Sequence, residues 1–137
     1  MNILDENIPE DQRQLLRGWR IRARQIGHEV GRPGMQDEEI IRLLHRMESS
    51  TLFSRDLGFY RHSLCHPHYC IVCLAVTPYE AASFIRRFLR HPQFQTQANR
   101  LGKVIRAGHS GITLWRLHSD EEEKGGWPGG RLDTEKK

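Results

Sequence analysis

No apolar run in the chain approaches transmembrane length, so neither a membrane span nor a membrane partner is expected. Cysteine is scarce: Cys65, Cys70 and Cys73 are the three. An odd count, with residues 1–4 entering a strand rather than a secretory leader, predicts reduced thiols in a cytoplasmic protein. At 137 residues the chain is too short for two domains and long enough for one with a core. Hydrophobic residues make up 37% and charged residues 28%, which is polar but far from a disordered composition.

What the chain has in excess is arginine. The segment from Ser119 onward holds six acids and four bases, so residues 1–118 carry 17 bases against 11 acids. All of those bases except Lys103 are arginine, the better fork for phosphate oxygens. A basic body points to a polyanionic partner. The glycines at 125, 126, 129 and 130 predict a disordered tail over 119–137, leaving 1–118 as the domain.

The pattern alternates strand and helix. Met1–Leu4 reads as a strand, and Asn7 is placed to cap a helix with Pro9 in its first turn and Gly18 as its stop. Trp19–Ile26 alternates, with Arg20, Arg22 and Arg24 on one face, which suits an edge strand. Ile40, Leu43, Leu44 and Met47 form the buried stripe of a second helix opening near Asp37. Thr51–Ser54 and the unbroken apolar run Cys70–Val76 read as further strands. Thr77, Pro78 and Glu80 start a third helix that Pro92 ends, and a short helix is expected within Gln93–Leu101. Lys103–Ala107 and Ile112–Leu117 form a hairpin. The order predicts an α/β fold, a three-layer α/β/α sandwich with a mostly parallel sheet and a C-terminal β-hairpin.

Asp5 closes the first of these strands and Asp56 follows the third by two residues. Ligands of parallel sheets bind along the edge where such strands end. The second helix offers a third acid from Asp37, Glu38 or Glu39. With about 100° per residue and Ile40 at zero, the apolar stripe centres near ~20°, Asp37 at ~60°, Glu38 at ~160° and Glu39 at ~260°. Asp37 alone therefore faces the sheet. Three carboxylates suit a hard cation, Mg²⁺ or Mn²⁺, that polarises a phosphoryl group and activates water. Each acid also has an ordinary role: Asp37 as a helix cap, Asp5 in an Asx turn, Asp56 paired with Arg55.

The run Ile3-Leu4-Asp5-Glu6-Asn7-Ile8-Pro9, then Asp37-Glu38-Glu39-Ile40 after a glycine-rich loop, then Ser54-Arg55-Asp56-Leu57-Gly58-Phe59, resembles the small PIN-like proteins of bacterial toxin–antitoxin operons. The similarity runs from Met1 to about Leu117. It implies a PIN-like fold, metal-dependent ribonuclease activity on RNA, a toxin role in a type II pair and an antitoxin protein as partner; a homodimer stays open. It implies Asp5, Asp37 and Asp56 as catalytic metal ligands with Glu38 as an auxiliary one. It implies Asn7, Ser54 and Arg55 as substrate contacts. Related chains usually carry a further aspartate where this chain has Gly58, so a degenerate RNA- or protein-binding module is the alternative.

His62, Cys65, His66, His68, Cys70 and Cys73 also suggest zinc. Cys70 and Cys73 fall in a buried strand, where residues three apart point to opposite faces and cannot chelate together. The histidines are expected in a loop beside the acidic crevice, with His62 or His66 in reach of RNA.

Overall fold

The structure, a computed structural model, describes residues 1–128. Its elements in chain order are β1 (Asn2–Leu4), α1 (Glu10–Gly18), β2 (Arg24–Gln25), α2 (Asp37–Met47), β3 (Ser50–Ser54) and β4 (Tyr69–Ala75). Then come α3 (Ala81–Arg90), α4 (Gln97–Arg100), β5 (Lys103–Gly108), β6 (Gly111–Arg116) and β7 (Glu123–Gly125). All seven strands join one sheet in the order β2-β1-β3-β4-β5-β6-β7. The first five are mutually parallel; β5-β6 and β6-β7 are antiparallel.

Register explains why both faces are covered. Ile3, Leu52, Ile71 and Val104 stand side by side on neighbouring strands and contribute to one apolar cluster with Ile40 and Leu44 of α2. One residue on, Leu4, Phe53, Val72 and Ile105 form the next row. That row belongs to the opposite cluster, with Leu16 of α1 and Phe84, Ile85 and Phe88 of α3. Successive strand residues alternate faces, so a continuous apolar strand needs helices on both sides. Each fully buried large side chain stabilises the fold by roughly 1.5–3 kcal/mol. The architecture is thus α/β with a mostly parallel mixed sheet and helices on both faces, compatible with a three-layer sandwich.

The entry to α3 has the expected Thr77–Glu80 capping box, around a 3-10 turn. The hairpin also forms, paired from Lys103–Arg116 to Gly108–Gly111. Cys70 and Cys73 are buried in opposite clusters, as alternation requires. Burial pushes both thiols up to about 12, so both are neutral thiols at neutral pH in the metal-free chain. The short helix within 93–101 contracts to α4.

Three expectations about the fold need correction. Asn7 does not cap α1; Pro9 precedes the helix with no side-chain cap, and Asn7 turns inward to other partners. α1 does end at Gly18, but the left-handed residue that closes it is not this glycine. Arg20 takes the left-handed position (φ 63°), with its N–H bonded to the Arg17 carbonyl and the Ile21 N–H to the Leu16 carbonyl, a Schellman closure. The strand expected over 19–26 is reduced by that turn to Arg24–Gln25, although it does lie at the sheet edge.

The tail expected to be disordered from Ser119 supplies β7, which pairs with β6. Trp127 is buried beside Phe84 and donates its indole N–H to the Gly108 carbonyl at 2.7 Å. The tryptophan adds a large buried anchor to a glycine-rich segment otherwise held by the β6 pairing and by His91 at the Gly126 carbonyl. Residues 129–137 of that expected tail lie outside the described residues. Among the described residues, no helix is long and apolar enough to cross a membrane.

Candidate functional site

Asp5 is the first residue beyond β1, and its N–H still bonds to the Phe53 carbonyl of β3. This places its side chain at the carboxyl end of the strands, on a residue only 8% exposed. A buried carboxylate needs partners. Oδ1 accepts the Glu6 N–H at 2.7 Å, and Oδ2 accepts the Ser54 hydroxyl at 2.7 Å. The Asn7 amide also approaches Oδ2 at 3.4 Å. Buried Gln25 fixes the turn from below, donating to the Asp5 carbonyl at 3.1 Å and the Ile8 carbonyl at 2.8 Å.

Ser54 closes β3 with full hydrogen-bond capacity in use. It donates to Asp5 and accepts from the Asp56 N–H at 3.0 Å and the Asn7 amide at 3.2 Å. Its residue is wholly buried, and its bonds orient Asp5 and Asp56. Asn7 accepts the Arg55 N–H at 3.1 Å, stitching the β1 exit to the β3 exit. Its part is therefore to bridge, not to cap. Arg55 sends its Nε to the Val76 carbonyl at 3.3 Å, just beyond β4. It forms no ion pair with Asp56 or Glu6 among the described residues.

Asp56 caps a 3-10 turn, Leu57–Phe59, by accepting the Gly58 N–H at 2.8 Å through Oδ1. A Cβ at position 58 would stand 3.0 Å from that same oxygen, so glycine lets the chain fold tightly over the carboxylate. Asp37 sits in the first turn of α2, but Gln36 is the N-cap and forms a capping box with Glu39. Asp37 is thereby left exposed with its carboxylate free of a capping duty. Glu38, the auxiliary acid, is exposed beside it.

The three aspartates are electrostatic neighbours. Burial raises the Asp5 pKa above the ordinary aspartate value; its hydrogen bonds from Ser54 and Glu6 pull the other way, and the charges of Asp56 and Asp37 add to the rise. Asp37 is raised by burial and then by Asp56 and Glu38, with Arg61 opposing. Like charges thus converge with little cationic relief. They do not close into a ready site: among the described residues no three His, Cys, Asp or Glu side chains stand close enough to hold one ion.

Two residues of this edge carried no legible signal. Glu6 accepts the Gly34 N–H at 2.8 Å and lies over Gly27, where a Cβ would meet its Oε2 at 2.8 Å, so it draws the glycine-rich loop across the β1 exit. Arg61 donates Nε to the Gly58 carbonyl at 3.1 Å, and its charge opposes the rise at Asp37. Only the fold brings these residues together. The histidines go the other way. His66 stacks on His45 and Tyr69, and His62 on Trp115 with its Nε2 at the Arg116 carbonyl. Tyr69 begins β4 and Arg116 pairs with the first residue of β5, so these rings sit at the opposite edge of the sheet, not beside Asp5.

Comparison of the chain with family models, with curated proteins and with solved structures gives no match.

Proposed function

We propose that the chain is a PIN-like, metal-dependent ribonuclease, acting as the toxin of a type II toxin–antitoxin pair. The observation that carries this reading is Asp5, a buried carboxylate aimed by Ser54 and the Glu6 N–H at the strand-end edge, with Asp56 and Asp37 as its charged neighbours. The donor chemistry fits Mg²⁺ or Mn²⁺, since all three groups are hard oxygen ligands and their mutual repulsion is what a divalent cation relieves. Asp5, Asp37 and Asp56 would hold the ion, with Glu38 on the outer side. When bound, it supplies a polarised phosphoryl oxygen and a more acidic water. Asn7 and Ser54 hold the two strand exits in fixed relation, and Arg55 and Arg61 offer guanidinium forks to RNA phosphates at either side of Asp56. The antitoxin partner and the toxin role rest on the sequence resemblance.

A second reading, a degenerate RNA- or protein-binding module, is favoured by one fact: no three donors stand within reach of a single ion among the described residues. Gly58 in place of a further acid points the same way. Incubating single-stranded and structured RNA with the protein, in Mn²⁺ or in EDTA, beside Asp5→Asn, separates the two. Cleavage that needs Mn²⁺ and disappears in Asp5→Asn supports the nuclease and rejects the binding module. Cleavage persisting in EDTA or in the variant rejects the nuclease reading.

A further inference from the structure

A cavity of about 570 Å³ lies where the C-terminus of α1 meets the edge strand β2. Five arginines line it and no acid does. Arg13 is already engaged by Glu10 and Glu29. The side chains of Arg17, Arg20, Arg22 and Arg24 make no hydrogen bond or ion pair among the described residues. The C-terminal dipole of α1 offers only about half a negative charge. Four guanidiniums around one concavity therefore lack a counter-charge.

The chain also bends to assemble them. The Schellman closure at the end of α1 requires a left-handed residue, the position glycine fills at no steric cost. This chain places Arg20 there at φ 63°. After that turn Arg22 and Arg24 join Arg17 and Arg20 in the lining of the cavity, all four exposed. Between the charges, half-buried Ile21 and Ala23 supply an apolar patch. The volume is that of a small-ligand pocket rather than a long nucleic-acid track.

We propose that this cavity binds a nucleoside phosphate: the arginine forks take the phosphate oxygens, and the Ile21–Ala23 patch takes the base or sugar. Guanidinium groups recognise phosphate bidentately. The site stands apart from the acid edge. Arg24 pairs with Ile3, so Arg22 lies toward the start of β1 while Asp5 lies beyond its end. It does not depend on the nuclease reading. The ligand could be a free nucleotide or the phosphorylated end of an RNA, two sources of one chemistry.

The test uses the full chain in EDTA at low salt, with ATP, an RNA oligomer bearing a 5′-triphosphate, the same oligomer with a 5′-hydroxyl, and a polyglutamate peptide. Binding is followed by calorimetry. ATP and the triphosphate RNA should bind, and Arg20→Gly and Arg22→Ala should each weaken them by about tenfold or more. Arg20→Gly relieves the left-handed strain, so its unfolding midpoint should not fall, which separates lost binding from lost structure. Triphosphate RNA binding far more tightly than ATP identifies an RNA end; equal affinities identify the free nucleotide, and either result supports the site. The proposal fails if neither ligand binds at millimolar concentration, if both variants bind as the parent does, or if polyglutamate binds as tightly as ATP.

Discussion

The two ends of β1 carry opposite charge and are built in opposite ways. At its exit, each oxygen of Asp5 has a donor, Ser54 uses all its hydrogen-bond capacity, and Asn7 ties two strands together. At its start, four of the five arginines that line a cavity have no hydrogen bond or ion pair to their side chains among the described residues. Only about 10 Å of a three-residue strand separates these environments. The difference separates two kinds of work. A group that must act at one point in space is locked by neighbours, because a small misplacement costs rate. A group that recognises a ligand through charge keeps its freedom until the ligand arrives.

Breaking the locked end should have the largest effect. Asp5→Asn is expected to lower Mn²⁺-dependent RNA cleavage by roughly 10³-fold or more, read as initial rates, with an unchanged circular dichroism spectrum. Ser54→Ala comes next. It leaves Asp5 in place without its donor, so metal affinity or activity should drop about 10- to 100-fold, as for other outer-shell losses. Urea unfolding of that variant should show a cost of about 1–3 kcal/mol from the buried partners it abandons. Gly58→Asp sharpens the comparison from the other side. A fourth acid should raise Mn²⁺ affinity several-fold in titration, although its Cβ must push Asp56 Oδ1 from a 3.0 Å approach. Weaker Mn²⁺ binding in this variant would show that Gly58 serves the Asp56 turn and is not a missing ligand.

The pH dependence of stability is a subtler probe. Burial holds the Asp5 pKa above its unfolded value, so the folded state binds this proton more tightly. Its contribution to stability is therefore greatest at low pH. It declines as pH rises from the ordinary aspartate value to the raised folded one, and is flat above that. Asp5→Asn should remove this decline, and its stability relative to the parent should grow as pH rises across the window, measured by urea unfolding in a pH series. The smallest effect belongs to the free end: Arg20→Gly should stabilise the chain by about 0.5–1 kcal/mol, since glycine accepts φ 63° without strain.

How much of this was legible depends on the range of each interaction. The Thr77–Glu80 box, the hairpin and the opposite facing of Cys70 and Cys73 follow from neighbours within a few residues. The strand-end positions of Asp5 and Asp56 follow from where apolar runs stop. Asn7 looked like a helix cap because capping is local, but the winning partners were 47 and 48 positions away in Ser54 and Arg55. Arg20 looked like one strand residue among several. α1 ends at Gly18, yet the left-handed residue that closes it is Arg20 and not the glycine. The histidine segment was assigned to the crevice by proximity to Asp56, yet its rings cross the sheet to stack on Tyr69 and Trp115.

By itself, the sequence determined the alternation of strand and helix, the burial of both sheet faces and the acids that end β1 and follow β3. These are consequences of periodicity and of polar residues closing apolar runs. Tertiary structure alone decided which polar groups orient Asp5, that Glu6 holds the glycine loop, that Trp127 anchors β7 and that four arginines share one cavity. Each of those depends on a hydrogen bond, a ring contact or a charge assembly between segments far apart in the chain, and such pairings exist only once the strands are in register.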